Sequence, residues 1–208
     1  MDQNRLFDDY DAYYGPALAK YGATPEGVNW NSAEAQENRF DQFVKLLPGD
    51  APFSLNDYGC GYGALADYLA AAGRQVDYHG FDVSEQMIEL ARTSTKSPAA
   101  HFTTQLDDLQ PADFTVANGV FTLQLDTPDE AWLEYVLGQI GVIAELSTQG
   151  FGFNLLTSYS DPDRRRPDLY YADPTFYFDY CKRTFSRNVA LLHDYGEWEF
   201  TIWVRLDL

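Results

Sequence analysis

The sequence predicts an α/β fold built around a mostly parallel sheet. Between residues 53 and 121 the hydrophobic pattern changes twice from short strand-like runs to helix-like periodicity, which is typical of βαβ units. A glycine-rich turn over residues 59–63 follows the first strand, and two strand-like segments joined at Tyr195-Gly196 end the chain. The 208 residues, 45% of them hydrophobic, are enough for one domain with a substantial core.

The first three predicted strands cover residues 53–58, 75–81 and 100–104. A helix over residues 62–72 follows the first strand, and Ser84 is placed to cap a second helix after the second strand. These elements form two consecutive βα units, so the three strands are expected to run parallel.

The fourth predicted strand, residues 113–117, is followed by a long helix. Thr127 supplies a capping box and Pro128 takes the first helical position, so the helix is predicted to run to about residue 146. Its buried stripe is predicted to be Trp132, Val136, Ile140 and Ile143. The fifth strand covers residues 151–156.

The chain after the fifth strand contains an insertion and a closing hairpin. Residues 157–173 include three successive arginines, and they are predicted to form a long loop where a short connection would suffice. A helix begins at Asp173-Pro174 and runs to about residue 185. Residues 188–194 and 198–206 then form two strands of a tight hairpin, which brings the predicted number of strands to seven.

Residues 1–50 precede the predicted sheet and are expected to be largely helical. Ser32 can cap a helix with apolar residues on one face, whereas residues 1–30 give weaker helical signals among many tyrosines. We expect this segment to lie over the ligand site as a lid. The predicted organisation is a single domain over residues 1–208, with the lid over residues 1–50 and the core over residues 51–208.

The composition excludes several classes of partner. The chain has 14 Lys and Arg against 32 Asp and Glu, a net charge of −18, so DNA and RNA would be repelled. Two cysteines and three histidines are too few for a disulfide framework or a metal site, and no metal is expected. No apolar run is long enough to cross a membrane, so we expect a soluble, cytoplasmic protein. The sequence does not indicate an oligomeric state.

The glycine turn predicts a site for a nucleotide-like ligand. Glycines at 59, 61 and 63 follow Asp57 at the end of the first strand, and a turn without Cβ atoms lets the backbone approach a ligand closely. Dinucleotide sites use the spacing G-x-G-x-x-G, whereas the spacing here is G-x-G-x-G. Asp82 follows the second strand, where an acidic side chain can accept hydrogen bonds from both ribose hydroxyls.

Three motifs in sequence order carry a resemblance to a known family. They are D-Y-G-C-G-Y-G at 57–63, G-F-D-V-S at 80–84 and A-D-F-T-V-A-N-G-V-F at 112–121. In this order, each after a strand, they resemble the motifs of class I S-adenosylmethionine (SAM)-dependent methyltransferases. The resemblance covers about residues 53–208 and implies a three-layer αβα sandwich with strand order 3-2-1-4-5-7-6 and a C-terminal antiparallel hairpin. It also implies SAM as the cofactor.

The resemblance implies a cofactor-binding set at the ends of strands one, two and four. Its members are Asp57, Tyr58, Gly59, Gly61, Asp82, Val83, Met87 and Asn118. Asp57, Gly59 and Gly61 would hold the methionine part of SAM, and Asp82 would hold the ribose. Val83 and Met87 would pack near the adenine.

Two regions add four residues to this cofactor-binding set. Many family members carry an acidic residue after strand three that accepts from the adenine amino group, whereas this chain has Gln105-Leu106, whose side-chain amide and backbone can also accept. The segment around Gly27-Val28-Asn29-Trp30 resembles a bacterial subgroup of the family, which implies that Trp30 covers the cofactor and Arg39 pairs with its carboxylate. The alternatives are a core aromatic for Trp30 and a surface ion pair for Arg39.

Methyl transfer mainly requires alignment of the nucleophile, and a base assists where the nucleophile loses a proton. The catalytic candidates are Asn118, Tyr171, Asp173 and His193. A histidine satisfied by hydrogen bonds at a strand end is the alternative for His193. The turn Asn118-Gly119-Val120-Phe121 lacks the proline-aromatic pair of nucleic-acid methyltransferases, which favours a small-molecule N or O acceptor. An NAD-dependent oxidoreductase and a non-catalytic SAM-binding regulator remain the alternative functions.

Overall fold

The computed structural model describes residues 3–206, apart from the side chains of residues 3–5 and 8. Within this range the strands are β1 (Phe53–Tyr58), β2 (Val76–Phe81), β3 (Ala100–Thr103), β4 (Ala112–Ala117), β5 (Ser147–Thr157), β6 (Tyr171–Ala172), β7 (Asn188–Leu192) and β8 (Glu199–Arg205). The helices are α1 (Gln3–Tyr21), α2 (Ala33–Val44), α3 (Ala64–Ala71), α4 (Glu85–Ser94), α5 (Asp129–Glu145) and α6 (Pro174–Thr184). Short 3₁₀ turns cover Pro25–Val28, Leu106–Asp108 and Pro162–Arg164.

The strands form one sheet in the order β3-β2-β1-β4-β5-β8-β7. Strands β1 to β5 pair in parallel, whereas β8 is antiparallel to both β5 and β7. This arrangement confirms the predicted α/β fold with a closing hairpin. The two-residue strand β6 pairs with β5 outside the main path, and it shifts the numbering of the last two strands by one relative to the predicted order.

The two faces of the sheet carry separate apolar cores, each covered by helices. On one face Trp132, Val136, Ile140 and Ile143 of α5 are fully buried, as their periodicity predicted, together with Tyr177 of α6. On the other face, a cluster that includes Phe43 of α2 and Leu65 and Leu69 of α3 is buried against the sheet. The layers of helix, sheet and helix therefore match the predicted sandwich.

Most predicted element ends lie within two residues of the observed ones, and two predicted caps need correction. Ser32 caps α2 as predicted, since its Oγ accepts from the N–H of Ala35 at 3.1 Å. The capping box at Thr127 is wrong, because Pro128 is the N-cap of α5 and no side chain caps it. Ser84 is the N-cap residue of α4 but makes no side-chain cap; its hydroxyl donates to Asp11 of α1 at 2.6 Å.

The inserted segment after β5 is more ordered than a simple loop. It contains the 3₁₀ turn Pro162–Arg164 and strand β6, which pairs with the end of β5. Tyr170 N–H donates to the carbonyl of Thr122 at 2.9 Å, which ties the insertion to the segment after β4. Among residues 3–206, no helix combines the length and the apolar character that a membrane crossing requires.

Candidate active site

A cavity of about 670 Å³ lies at the carboxyl ends of β1, β2 and β4, beneath α1. Parallel α/β sheets bind ligands at this edge, where the strand order reverses between β1 and β4. Most of the predicted cofactor-binding residues line the cavity: Trp30, Arg39, Asp57, Tyr58, Gly59, Gly61, Asp82, Val83, Met87, Leu106 and Asn118. The structure therefore brings most of the predicted residues together around one cavity.

The glycine turn holds its shape through backbone conformations that favour glycine. Gly59 has a φ of +80°, and a Cβ there would lie 2.4 Å from Cγ2 of Val120. Gly61 has a φ of +54°, but a Cβ there would meet no atom within 4 Å. The backbone at Gly59 is thus packed against Val120 of the third motif, residues 112–121, while the backbone at Gly61 has open space beside it.

Asp82 joins the glycine turn to the start of α4. One carboxylate oxygen accepts from the N–H of Gly61 at 2.9 Å, and the other accepts from the N–H of Ser84 at 3.0 Å. Burial raises the pKa of Asp82, while these two backbone hydrogen bonds oppose the rise. Each carboxylate oxygen retains a second lone pair, so the side chain can accept further bonds from a ligand.

Asp57 is buried at the end of β1, directly behind the turn. Burial raises the pKa of its carboxyl group to about 7, although the hydroxyl of Tyr78 on β2 donates to it and lowers the pKa in part. The carboxyl group of Asp57 therefore has a pKa close to neutral pH.

Helix α1 forms an aromatic wall of the cavity. Tyr10, Tyr13 and Tyr14 lie at i, i+3 and i+4 on the helix, so they share one face, and all three line the cavity. Tyr10 donates to the carbonyl of Leu123 at 3.3 Å, and Asp11 accepts from Ser84. Hydrogen bonds therefore connect α1 to the segment after β4 and to the start of α4.

A buried ion pair forms another wall. The guanidinium of Arg39 contacts the carboxylate of Glu199 on β8, and it lies 3.4 Å from a carboxylate oxygen of Glu197. Trp30 stacks on this guanidinium, with 4.3 Å between the Arg39 Cζ atom and the ring centroid. Arg39 is 7% exposed and Glu199 is 2% exposed, so the pair is not the surface ion pair that was the sequence alternative.

The ion pair extends to the turn after β4 through Asn154 on β5. The Nδ2 atom of Asn154 donates to Glu199 and to Asn118, at 2.8 Å in each case. Its Oδ1 atom accepts from the N–H of Gly119 at 2.7 Å. Burial raises the pKa of Glu199 to about 7, with Arg39 opposing the rise.

The comparisons with known proteins identify the family of the chain. Residues 57–137, which span the glycine turn and most of α5, match the model of a family described as a methyltransferase domain. The chain is 49% identical over 163 residues to Rv1506c of Mycobacterium tuberculosis (strain ATCC 25618 / H37Rv), which is provisionally named a methyltransferase; the match covers 78% of this chain and 98% of that protein. This chain belongs to the class I SAM-dependent methyltransferases.

Solved methyltransferases share the fold. Magnesium protoporphyrin IX methyltransferase from Synechocystis PCC 6803, with bound SAH, superposes with a TM-score of 0.66 at 18% identity, covering 98% of this chain and 99% of that chain. Human N-acetylserotonin methyltransferase in complex with SAM gives a TM-score of 0.64 at 18% identity, covering 100% of this chain and 61% of that chain. At such identities the likeness concerns the fold alone.

Several residues predicted for this methyltransferase site lie outside the cavity. The side chain of Gln105 is exposed and donates to the hydroxyl of Thr104 at 3.1 Å, so it does not face the ligand space, whereas its neighbour Leu106 does. Asp173 caps α6 by accepting from the N–H of Thr175 at 2.8 Å.

The other two catalytic candidates also lie away from the cavity. The hydroxyl of Tyr171 accepts from the N–H of Arg166 at 3.0 Å, and the exposed ring of His193 lies 5.9 Å from the ring of Tyr159. A catalytic role for Tyr171, Asp173 and His193 stays a prediction that the positions of their side chains do not support. Asn118 is the catalytic candidate that lines the cavity.

Sequence reasoning missed several residues of the methyltransferase cavity. Tyr10, Tyr13 and Tyr14 were visible as a helical i, i+3, i+4 pattern, although the segment gave only weak helical signals overall. Glu199 gave no comparable signal, because it meets Asn154, which lies behind the cavity lining, only through the pairing of β5 with β8. Arg166, the last of the three successive arginines, also lines the cavity.

Proposed function

We propose that this methyltransferase transfers the methyl group of SAM to a nitrogen or oxygen atom of a small molecule. The observation that carries the proposal is the position of Asp82 at the mouth of the glycine turn. Its carboxylate is fixed by the N–H groups of Gly61 and Ser84, and it faces the cavity beneath α1. The G-x-G-x-G turn and the hairpin between β7 and β8 favour SAM over NAD, as does the family of the chain.

The cavity residues fit SAM. Asp57, Tyr58, Gly59 and Gly61 would hold the methionine part, because the open space at Gly61 leaves room beside the backbone. Asp82 would accept from the ribose hydroxyls with its remaining lone pairs. Val83, Met87 and Leu106 would supply the apolar surface for the adenine, and Gln105 is left out of this set because its side chain points elsewhere.

Trp30 and Arg39 would contribute differently from the sequence expectation. Trp30 lines the cavity and would cover the cofactor. Its ring also contacts the guanidinium of Arg39. Arg39 also lines the cavity, but its charge is offset by two glutamates. We therefore propose that Arg39 mainly fixes the position of Trp30 and Glu199.

When bound, SAM would supply an electrophilic methyl group on a sulfonium. The side chains of this chain would align the acceptor and exclude water. Asn118 is placed to orient the acceptor, because its side chain is itself held by Asn154. Glu199, like Asp57, is a cavity-lining carboxylate whose pKa is raised to about 7, and Asn154 links it to Asn118. Glu199 would therefore accept a proton released by an acceptor that Asn118 orients.

We propose that residues 1–50 act as the lid of a single domain and residues 51–208 as its core. The contacts of α1 with both sides of the cavity support this arrangement: Asp11 bonds to Ser84, and Tyr10 bonds to the carbonyl of Leu123. The ordered insertion between β5 and α6 would close the opposite side. A cavity of about 670 Å³ lies in the range of small-molecule sites, and the net charge of −18 disfavours nucleic acid as the acceptor.

Calorimetric titration of the purified protein with SAM, S-adenosylhomocysteine (SAH) and NAD tests the cofactor assignment. We expect SAM and SAH to bind and NAD not to bind, and tight NAD binding without either sulfur ligand would contradict the proposal. A panel of small amines, phenols and carboxylates, assayed for SAH production, then tests turnover. Binding of SAM without SAH production over the whole panel would favour a non-catalytic regulator.

A further inference from the structure

Arg166 is the cation that the inserted segment brings to the cavity. It follows Arg164 and Arg165, but only Arg166 of the three lines the cavity. Arg165 instead donates to the carbonyl of Ser160 at 3.2 Å and lies over the ring of Tyr171. Arg164 is exposed to solvent. The fold therefore selects one of three neighbouring guanidinium groups for the site.

The guanidinium of Arg166 retains hydrogen-bond donors for a ligand. Its Nε atom donates to Asp168 at 3.0 Å, and its Nη2 atom donates to Asp168 and to the hydroxyl of Tyr13, the latter at 2.9 Å. Arginine has five N–H donors, so the two on Nη1 have no partner among the residues that the structure describes. The side chain is 53% exposed, which leaves Nη1 accessible.

The other charged groups of the cavity are already engaged within the chain. Asp57, Asp82 and Glu199 each accept hydrogen bonds or an ion pair, and Asp11 accepts from a serine hydroxyl. Arg39 contacts two glutamates. Arg166 has one carboxylate partner, Asp168, and an Nη1 atom without a partner among the described residues, so an anion is the ligand that it would bind most strongly.

Arg166 reaches the cavity on a different segment from the proposed cofactor subsite. Asp82 follows β2, whereas the segment that carries Arg166 packs beside the segment after β4, because the N–H groups of Gln124 and Leu125 donate to the carbonyl of Asp168. The sheet order places β1 between β2 and β4. Tyr13 on α1 accepts a hydrogen bond from Arg166. Arg166 lines the cavity together with Leu169 and Thr122.

We propose that the methyl acceptor carries an oxyanionic group, a carboxylate or a phosphate, and that Arg166 binds it. This inference rests on the proposed function, since it assigns the second subsite of the same cavity. Asp168 holds Arg166 in place and competes with the anion for its guanidinium. Tyr13 links Arg166 to α1, so an anion at Arg166 would also stabilise the position of α1 over the cavity.

Matched aromatic probes test the charge preference, because tyrosines form the wall next to Arg166. The probes are benzoate and phenyl phosphate as anions, benzamide as the neutral analogue and benzylamine as the cation, each titrated by NMR into the protein saturated with SAH. We expect both anions to bind at least tenfold more tightly than benzamide or benzylamine. The R166Q variant should remove this difference.

Three further variants separate anion binding from folding. R164Q removes the same charge from an exposed neighbour and should keep the preference. Y13F removes the link to α1 but leaves the guanidinium, so it should also keep the preference. D168N removes the competing carboxylate and should strengthen benzoate binding, a gain that misfolding cannot produce.

Two results would overturn the inference. One is anion binding no tighter than benzamide binding in the unmodified protein, including no detectable anion binding. The other is a preference for anions that persists in R166Q. The titration with SAH alone is done first: its failure would contradict the proposed function, whereas SAH binding without an anion preference would contradict only the assignment of Arg166.

Discussion

Asn154 on β5 and Glu199 on β8 form a buried hydrogen bond of 2.8 Å that links the two halves of the cavity wall. On one side, Glu199 contacts Arg39, whose guanidinium stacks against the ring of Trp30. On the other side, Asn154 holds the side chain of Asn118 and the N–H of Gly119. Residues from α2, β8 and the turn after β4 are therefore connected through one amide side chain on β5.

Replacing Asn154 by alanine should lower the free energy of unfolding by about 2 to 3 kcal/mol, because buried partners lose their hydrogen bonds. Asn154 is 1% exposed, so water cannot easily replace the amide. Urea unfolding measures the change. Gln105→Ala, which removes an exposed amide, serves as the control and should change the stability by less than about 0.5 kcal/mol. Equal effects of the two substitutions would show that the network contributes little.

Breaking the ion pair should cost more than removing both charges. Arg39→Met leaves the carboxylate of Glu199 buried without its cation, and we expect a loss of about 3 to 5 kcal/mol in stability. Arg39→Met combined with Glu199→Gln removes both charges, and the glutamine oxygen can still accept from Asn154. The double variant should therefore be more stable than Arg39→Met alone in thermal or urea unfolding. A double variant less stable than the single one would refute this assignment.

Asp57 should make the ligand-free protein less stable as the pH rises. Its folded-state pKa is raised to about 7, so the folded protein binds a proton that the unfolded chain releases near pH 4. The stabilisation is fully present below about pH 4 and is lost as the pH rises through about 7, by up to about 4 kcal/mol. Asp57→Asn cannot release this proton, and its oxygen can still accept from Tyr78.

Urea unfolding of both proteins at several pH values between about 4 and 8 checks this prediction. Glu199 also has a raised pKa, so Asp57→Asn should reduce the pH dependence without abolishing it. If the free energy of unfolding depended on pH identically in the unmodified protein and in Asp57→Asn, Asp57 would be ionised in the folded state throughout this range.

The two glycines of the turn should respond differently to alanine. Gly59→Ala adds a Cβ that would lie 2.4 Å from a methyl carbon of Val120, in addition to the strain of a positive φ. Gly61→Ala carries only the strain, of about 1 to 2 kcal/mol, because no atom lies within 4 Å of its Cβ. Val120→Ala should therefore rescue part of the stability lost in Gly59→Ala but none of that lost in Gly61→Ala. Equal rescue of both variants would contradict the packing at Gly59.

The parts of the fold set by local patterns could be predicted from the sequence. The residues 53–58 predicted for the first strand coincide with β1, and the stripe from Trp132 to Ile143 is buried as the helical period requires. Asp82 was selected as a candidate because it follows a strand at a position where ribose-binding acids occur. Such signals lie within a few residues of one another, so one sequence is enough to read them.

The parts that depend on distant pairing could not be predicted. Glu199 reads as an ordinary polar residue of a hairpin strand, and only the pairing of β8 with β5 places it beside Asn154. The family resemblance implied that Arg39 pairs with the carboxylate of the cofactor, and its partner Glu199, 160 positions further along the chain, left no mark near it in the sequence. His193 was a candidate by residue type, but it lies at an exposed position beyond the end of β7.

Replacing Asp82 by alanine should weaken SAH binding by more than about 1 kcal/mol, since charge-assisted hydrogen bonds to the ribose would be lost. The same substitution also removes the acceptor for the N–H groups of Gly61 and Ser84, so folding and binding must be measured separately.

Asp82→Asn keeps an acceptor oxygen for one N–H group and should retain more affinity than the alanine variant. Asp107→Ala removes the same charge from an exposed position just after Leu106, and it should leave the affinity unchanged. Calorimetric titration with SAH gives the affinities, and thermal unfolding without ligand gives the stabilities. Unaltered SAH affinity in a folded Asp82→Ala protein would remove Asp82 from the cofactor site.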